Sequence, residues 1–78
     1  MNTLVYQRDG YEIYYDGNHF LLIRRLPDGR YQNPKVPEDA DETRKKANTS
    51  DEFNPSECTN FRNITSATAY INRIEKQS

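Results

Sequence analysis

Polar and nonpolar residues alternate in short runs through the first 33 residues. The runs TLVYQ, YEIYY and HFLLIRR are rich in β-branched and aromatic residues, and Asp-Gly pairs follow them at 9–10, 16–17 and 28–29. Asp-Gly favours tight hairpins because both central residues of a type I′ turn need a positive φ angle. The pattern predicts an antiparallel β-meander over residues 3–33.

The third turn differs because a proline precedes its Asp-Gly pair. Pro27 has no N–H group, so it could not donate a ladder hydrogen bond if the loop had only two residues. We expect a type I turn with Pro27 at its second position and Gly29 in a bulge.

The C-terminal stretch TSATAYINRIEKQ, residues 65–77, has the spacing of an amphipathic helix. Its apolar residues recur three and four positions apart, at Ala67, Tyr70, Ile71 and Ile74. Either Thr65 or Ser66 can cap its start. Phe61 and Ile64 can pack where the chain enters this helix.

Residues 34–60 have a different composition. They hold three of the four prolines, and seven acidic residues against four basic ones. Within EDADETRKKA the acids come first and the bases last, which suits a helix dipole, yet the only apolar residues are Ala40 and Ala47. A short solvated helix and a mobile loop are both compatible with this stretch.

Strand alternation sorts the meander into two faces. The first face carries Tyr11, Ile13, Tyr15, Phe20, Leu22 and Leu26, and a two-residue loop at 9–10 would add Leu4 and Tyr6. The predicted helix can cover this face with Ile71 and Ile74. The second face carries Val5, Gln7, Glu12, Tyr14, His19, Leu21, Ile23 and Arg25, and the expected turn at Pro27 adds Tyr31.

One helix cannot cover both faces, so the second face needs another cover. Residues 34–60 could fold back over it, with Val36 and Phe53 as plugs. Alternatively a partner covers it, either a second copy of this chain or a foreign protein, because Tyr and Arg beside aliphatic residues are typical of interface hot spots. The second hypothesis assigns partner binding to Tyr14, Leu21, Ile23, Arg25 and Tyr31, with the acidic residues Asp39, Asp41 and Glu42 tuning it.

The length of 78 residues predicts one small domain, and the meander followed by a helix predicts the α+β class. We expect a meander of three to four strands with the C-terminal helix on one face, and a long polar loop or short helix between them. The N-terminal residues lack the pattern of a signal peptide, and no stretch is long and apolar enough to cross a membrane. The prediction is a soluble cytoplasmic protein that does not act at a membrane.

Candidate chemistry is sparse. His19 is the only histidine, and Cys58 is the only cysteine. A surface His beside Glu12 or Asp16 is usually a solvated contact, and Cys58 has no nearby basic residue to activate it. We predict no catalytic residue, cofactor or metal site. Nucleic-acid binding stays an alternative, because arginines surround tyrosines on the sheet.

The hairpins YEIYYDGNHFLLIR followed by FRNITSATAYINRI resemble small proteins encoded by phages and other mobile elements. Many of these pair a short antiparallel sheet with one helix introduced by an F-x-x-I/L-x-x-A phrase, which Phe61, Ile64 and Ala67 match here. Anti-CRISPR inhibitors, which block host defence complexes by binding, belong to this group. The resemblance implies a stoichiometric inhibitor in the cytoplasm of a bacterial host, with a host protein or nucleoprotein complex as partner. It assigns no functional residue.

Overall fold

The computed structural model describes residues 2–36 and 39–76, and the strands and helices below are those of the described residues. The strands are β1 (Thr3–Arg8), β2 (Tyr11–Tyr15), β3 (Phe20–Arg25), β4 (Tyr31–Gln32), β5 (Thr49–Ser50) and β6 (Thr59–Phe61), and the helices are α1 (Glu42–Ala47) and α2 (Ile64–Lys76). Two predicted positions, Glu38 of the acidic segment and Gln77 of the C-terminal helix, lie outside the described residues.

One antiparallel sheet contains all six strands. Its order is β1-β2-β3-β4-β5, and β6 pairs with β3 off this path. On the side away from β2, strand β3 pairs with β6 through Phe20, Leu21 and Leu22. Further along the same side it pairs with β4 through Arg24 and Arg25. The α+β class and the C-terminal helix are as predicted. The sheet is larger than the expected three to four strands because β5 and β6, only two and three residues long, were not foreseen.

The three predicted turns form where the Asp-Gly pairs lie. Asp9 and Gly10 both have positive φ angles, 51° and 84°, and they join β1 to β2 in a two-residue turn. Asp16 begins the second turn, where its carboxylate accepts hydrogen bonds from the backbone N–H groups of Asn18 and His19. In the third turn the Gly29 N–H donates to the Leu26 carbonyl, which places Pro27 at the second position as expected.

A β-bulge in β1 corrects one face assignment. Tyr6 pairs with Ile13, but Leu4 pairs with Tyr14, because the register shifts between Leu4 and Tyr6. A single extra residue on one strand moves the side chains beyond it to the other face. Leu4 therefore lies on the second face beside Tyr14, not on the first, and 44% of it is exposed.

Helix α2 covers the first face as predicted. Its Ala67 and Ile71 are fully buried in one cluster with Tyr11, Ile13 and Leu22. Partly buried side chains surround that cluster: Tyr6, Phe20, Phe61, Ile64, Tyr70 and Ile74. The cap is Asn63 rather than Thr65 or Ser66, since the Asn63 side-chain oxygen accepts a hydrogen bond from the Ser66 N–H at 2.8 Å.

The charged stretch within residues 34–60 contains helix α1. Of the two alternatives, a short solvated helix and a mobile loop, the helix is the one that forms. Asp41 caps α1 by accepting a hydrogen bond from the Arg44 N–H at 2.8 Å. No residue of α1 is buried, so its amphipathic character is weak, as its sequence suggested. None of the described helices is long and apolar enough to cross a membrane.

Candidate protein-binding face

Phe53 covers much of the second face. Its ring centroid lies 4.4 Å from that of Tyr14 and 5.9 Å from that of Tyr31. Beneath this aromatic layer Leu21 and Ile23 are 3% and 0% exposed. The fold-back of residues 34–60 is therefore present, with Phe53 as its plug. Val36 is also buried, but its carbonyl accepts a hydrogen bond from Arg24, a first-face residue.

This cover changes the set of residues available to a partner. Leu21 and Ile23 cannot contact a partner while Phe53 and its neighbours stay in place, so their place in the predicted set is corrected to buried support. Tyr14, Arg25 and Tyr31 stay partly accessible. Leu4 was predicted on the first face, but the bulge brings it to the second. Phe53 was predicted only as a plug and not as part of the surface that a partner could contact.

A polar network lies under the accessible rim. Glu12 is 5% exposed, and its carboxylate accepts a hydrogen bond from the Tyr14 hydroxyl at 2.7 Å. The same oxygen lies 3.7 Å from the Arg25 guanidinium, which partly offsets the cost of a buried charge. Burial and the hydrogen bond to Glu12 raise the pKa of Tyr14 far above its usual range, so its hydroxyl keeps its proton.

Arg25 links this network to the edge of the sheet. Its guanidinium donates to the Tyr31 hydroxyl at 2.7 Å and to the Gly29 carbonyl at 2.8 Å, and it lies 4.3 Å from the centre of the Tyr31 ring. Two hydrogen bonds and one cation–π contact hold the long side chain in one orientation. Arg25 is thus a preorganised cation, with 39% of its side chain exposed.

The accessible residues form one strip, which we call the rim strip: Leu4, Tyr14, Phe53, Arg25 and Tyr31. Leu4 lies opposite Tyr14 across β1 and β2, Phe53 bridges Tyr14 to Tyr31, and Arg25 pairs with Tyr31. The strip therefore runs across the sheet from the β1 edge to β4.

The acidic residues do not join the rim strip as a group. Asp41 accepts the capping hydrogen bond of α1, and Asp39 is exposed. Glu42 lines a cleft together with Arg24 and Gln32, which pair with each other on the first face. Their tuning role stays a prediction, and Glu42 lies on the other side of the sheet from the rim strip.

The two residues considered for chemistry have structural surroundings. The His19 N–H donates to the Asp16 carboxylate in the second turn. Burial raises the pKa of the Cys58 thiol to about 12, and its sulfur lies 3.6 Å from the Asn54 carbonyl oxygen. The described residues contain no group of three or more His, Cys, Asp or Glu side chains placed to hold a metal ion.

Comparison with known proteins yields no relative. The chain matches no protein-family model, no curated protein and no solved structure.

Proposed function

We propose that this protein is a non-catalytic binding protein that inhibits a host defence protein or nucleoprotein complex, in the manner of anti-CRISPR inhibitors. In this proposal it acts in the cytoplasm of a bacterial host and binds its target through the rim strip. A second copy of the chain is the other partner that the same surface could accept.

The composition of the rim strip supports the proposal. Tyr, Phe and Arg are enriched in the centres of interfaces, where a few aromatic and arginine anchors supply most of the binding energy. Here three aromatic rings and one arginine follow one another along the face, and Leu4, which is 44% exposed, lies opposite Tyr14 at the sheet edge. Accessible apolar side chains that form one patch rather than scattered positions are typical of interaction sites.

Preorganisation supports it further. Binding costs free energy when flexible side chains must be ordered, at about 0.5–1.5 kcal/mol for each rotamer-rich side chain. Arg25 and Tyr14 are already held by hydrogen bonds to Tyr31, Gly29 and Glu12. Most of that cost is therefore met in the free protein.

The raised pKa of Cys58 argues against a nucleophilic role for this residue. A thiol with a pKa of about 12 is protonated at neutral pH, whereas the thiolate is the nucleophile. The backbone N–H of His19 donates to the Asp16 carboxylate in the second turn.

The alternative function is a small nucleic-acid-binding module that uses Tyr and Arg on the sheet. On the second face the rings of Tyr14 and Tyr31 pack against Phe53, and Tyr14 lies beside the carboxylate of Glu12. Base stacking would have to displace Phe53 and approach a buried negative charge. A sheet-face nucleic-acid site should also show affinity for short oligonucleotides that falls steeply between ~50 and 200 mM salt.

The test replaces one exposed residue of the rim strip. Leu4→Glu adds a charge at its edge, and Ala69→Glu adds the same charge at an exposed position of α2. Tagged wild-type protein and both variants would be incubated with lysate of a bacterial host, and the bound proteins identified by mass spectrometry. We expect wild type and Ala69→Glu to retain the same target at equimolar ratio, and Leu4→Glu to lose it.

Two results would contradict the proposal. Equal retention of the target by all three proteins would place the interface elsewhere. An activity that turns over many substrate molecules per protein, and that Cys58→Ser or His19→Ala abolishes, would make this an enzyme. Circular dichroism of each variant checks that the fold is retained.

A further inference from the structure

A cleft lies between α1 and the end of the sheet, away from the rim strip. Its volume is about 360 Å³, and its lining residues are Arg24, Leu26, Arg30, Gln32, Glu42, Lys45, Lys46 and Thr49. The register places Arg24, Gln32 and Thr49 in line across β3, β4 and β5. Their neighbours Arg25, Tyr31 and Ser50 point to the second face, so this cleft is separate from the proposed protein interface.

The lining carries an excess of positive charge. It contains four cationic side chains and one carboxylate, that of Glu42. Arg30 also pairs with Asp28, at 2.9 Å, but both of those side chains are about half exposed, where an ion pair is weak. Lys45 and Lys46 suit the negative end of α1 on their own, but a helix end does not require an arginine on β3 and another in the turn before β4.

Arg24 is the fixed cation of the cleft. One guanidinium nitrogen donates to the Gln32 side-chain oxygen at 2.8 Å and to the Val36 carbonyl at 3.1 Å. The other donates to the Tyr11 hydroxyl at 3.2 Å and to the Pro34 carbonyl at 3.4 Å. All four acceptors are neutral oxygens, so they orient the side chain without cancelling its charge.

The opposite wall is also held in place. The Thr49 hydroxyl of β5 donates to the Lys45 carbonyl of α1, and the Asn33 N–H donates to the Asn48 carbonyl at 3.1 Å. These bonds tie the C-terminal end of α1 to the sheet. The two lysines and Arg24 therefore line one cleft whose walls are tied together by hydrogen bonds.

From this arrangement we infer that the cleft binds a phosphate-bearing ligand of nucleotide size. Arg and Lys are the side chains that recognise phosphate, and four cations lining one cleft match a polyvalent anion better than a single carboxylate. Arg24 supplies charge rather than free donors, because its terminal N–H groups already donate to protein oxygens. The volume is at the lower end of the range of roughly 300–1,000 Å³ for small-molecule sites, and it exceeds what one inorganic phosphate would fill. Thr49 and Gln32 add polar groups, and Leu26 adds an apolar wall.

The same chemistry can come from a free nucleotide or from the phosphates of a nucleic-acid strand. The probes are ADP, inorganic pyrophosphate, a 5′-phosphorylated tetranucleotide and a glutamate-rich peptide, each titrated into the full chain by calorimetry and by amide chemical shifts. If ADP or pyrophosphate binds more tightly than the tetranucleotide, the source of the phosphate is a free nucleotide. The reverse order identifies a strand, and shifts should centre on Arg24, Gln32, Lys45 and Thr49 in both cases.

Two charge-matched variants decide the question. Lys45→Gln with Lys46→Gln removes two cations from the cleft, and Arg62→Gln with Arg73→Gln removes two exposed cations outside it. Glutamine keeps helix propensity close to that of lysine, so the fold should be retained. We expect the cleft pair to weaken phosphate binding by about tenfold or more, and the control pair by less than about threefold.

Three results would overturn the inference. These are no binding of any phosphate probe at millimolar concentration, equal weakening by the two variant pairs, or binding of the acidic peptide alone. The outcome is independent of the proposed inhibitor function, since Leu4→Glu leaves the cleft intact and the lysine variants leave the rim strip intact.

Discussion

The two faces of the sheet are covered in different ways. The first face is closed by a 13-residue helix that buries Ala67 and Ile71 against aliphatic and aromatic strand residues. The second face is closed by Phe53, from an irregular segment, lying over a network of Glu12, Tyr14 and Arg25. The first cover is a helix packed on a hydrophobic cluster, whereas the second is one aromatic side chain over buried Leu21 and Ile23 and the adjoining polar network. Stability should therefore reside mainly in the first face, and the proposed binding in the second.

The largest expected effect comes from the first face. Ile71→Ala removes a fully buried side chain from the centre of the core, and such truncations cost about 2–5 kcal/mol. In a chain of this size, where one core supplies only about 3–5 kcal/mol, the variant should be close to unfolded at room temperature. Urea unfolding followed by circular dichroism measures the change. Arg73→Ala, exposed on the same helix, should change the free energy of unfolding by less than about 0.5 kcal/mol.

The next effect concerns the buried charge of the second face. Arg25→Ala leaves the Glu12 carboxylate without its cation, and we expect a loss of about 1–3 kcal/mol. That is below the cost for a fully buried pair, because Arg25 is partly exposed and the charges are 3.7 Å apart. If the pairing is responsible, adding Glu12→Gln to Arg25→Ala should restore part of the loss. Arg30→Ala, which breaks only the exposed pair with Asp28, serves as control.

No restoration in that double variant would mean that Arg25 acts through its packing on Tyr31 rather than through its charge. The polar network would then contribute little to stability, and the contrast between the two faces would be one of shape alone.

A smaller effect is expected from the plug itself. Phe53→Ala removes two aromatic contacts, with Tyr14 and Tyr31, and should cost about 1–2 kcal/mol. Phe53→Leu keeps an apolar cover and should lose less. A loss as large as that of Ile71→Ala would show that the second face contributes equally to the core. Amide hydrogen exchange in β4 should become faster in Phe53→Ala while exchange in α2 stays unchanged.

The difference between the faces also governs what could be read from the sequence. The Asp-Gly turns and the 3–4 spacing of Ala67, Ile71 and Ile74 are local signals, so the meander and α2 could be predicted within a residue or two. The cover of the second face depends on contacts distant in sequence, such as Phe53 with Tyr14. No local sequence signal showed whether Phe53 or a binding partner covers the second face, so both alternatives stayed open.

Two features had too weak a signal to find. The bulge in β1 has no glycine or proline to mark it, yet it decides whether Leu4 lies in the core or on the rim strip. Strands β5 and β6 are too short for alternation to be visible, and they form because β3 and β4 present free edges to them. The cleft was missed for the same reason, since Arg24 and Lys45 meet only once β5 has paired with β4.

The smallest change in stability is expected at Cys58, at the end of the covering segment. Cys58→Ser should alter the free energy of unfolding by less than about 0.5 kcal/mol near pH 7, because the residue is only partly buried in a polar loop. The thiol is nevertheless a sensitive probe of this cover. Burial raises its pKa to about 12, so in the folded protein the reactive thiolate is scarce at pH 8.

Alkylation by iodoacetamide at pH 8 should accordingly be at least about a hundredfold slower in the folded protein than in urea, where the thiol has an ordinary pKa near 8.5. The pKa of the Cys58 thiol is higher in the folded state than in the unfolded state. The contribution of the protonated thiol to the free energy of unfolding is therefore complete below about pH 8, and it is lost as the pH rises toward 12. Wild type should thus lose stability between pH 8 and 10 relative to Cys58→Ser.

If Phe53→Ala accelerates alkylation and Arg73→Ala does not, the segment over the second face opens without unfolding of the first. Rapid alkylation of the folded wild type would instead mean that this segment protects nothing.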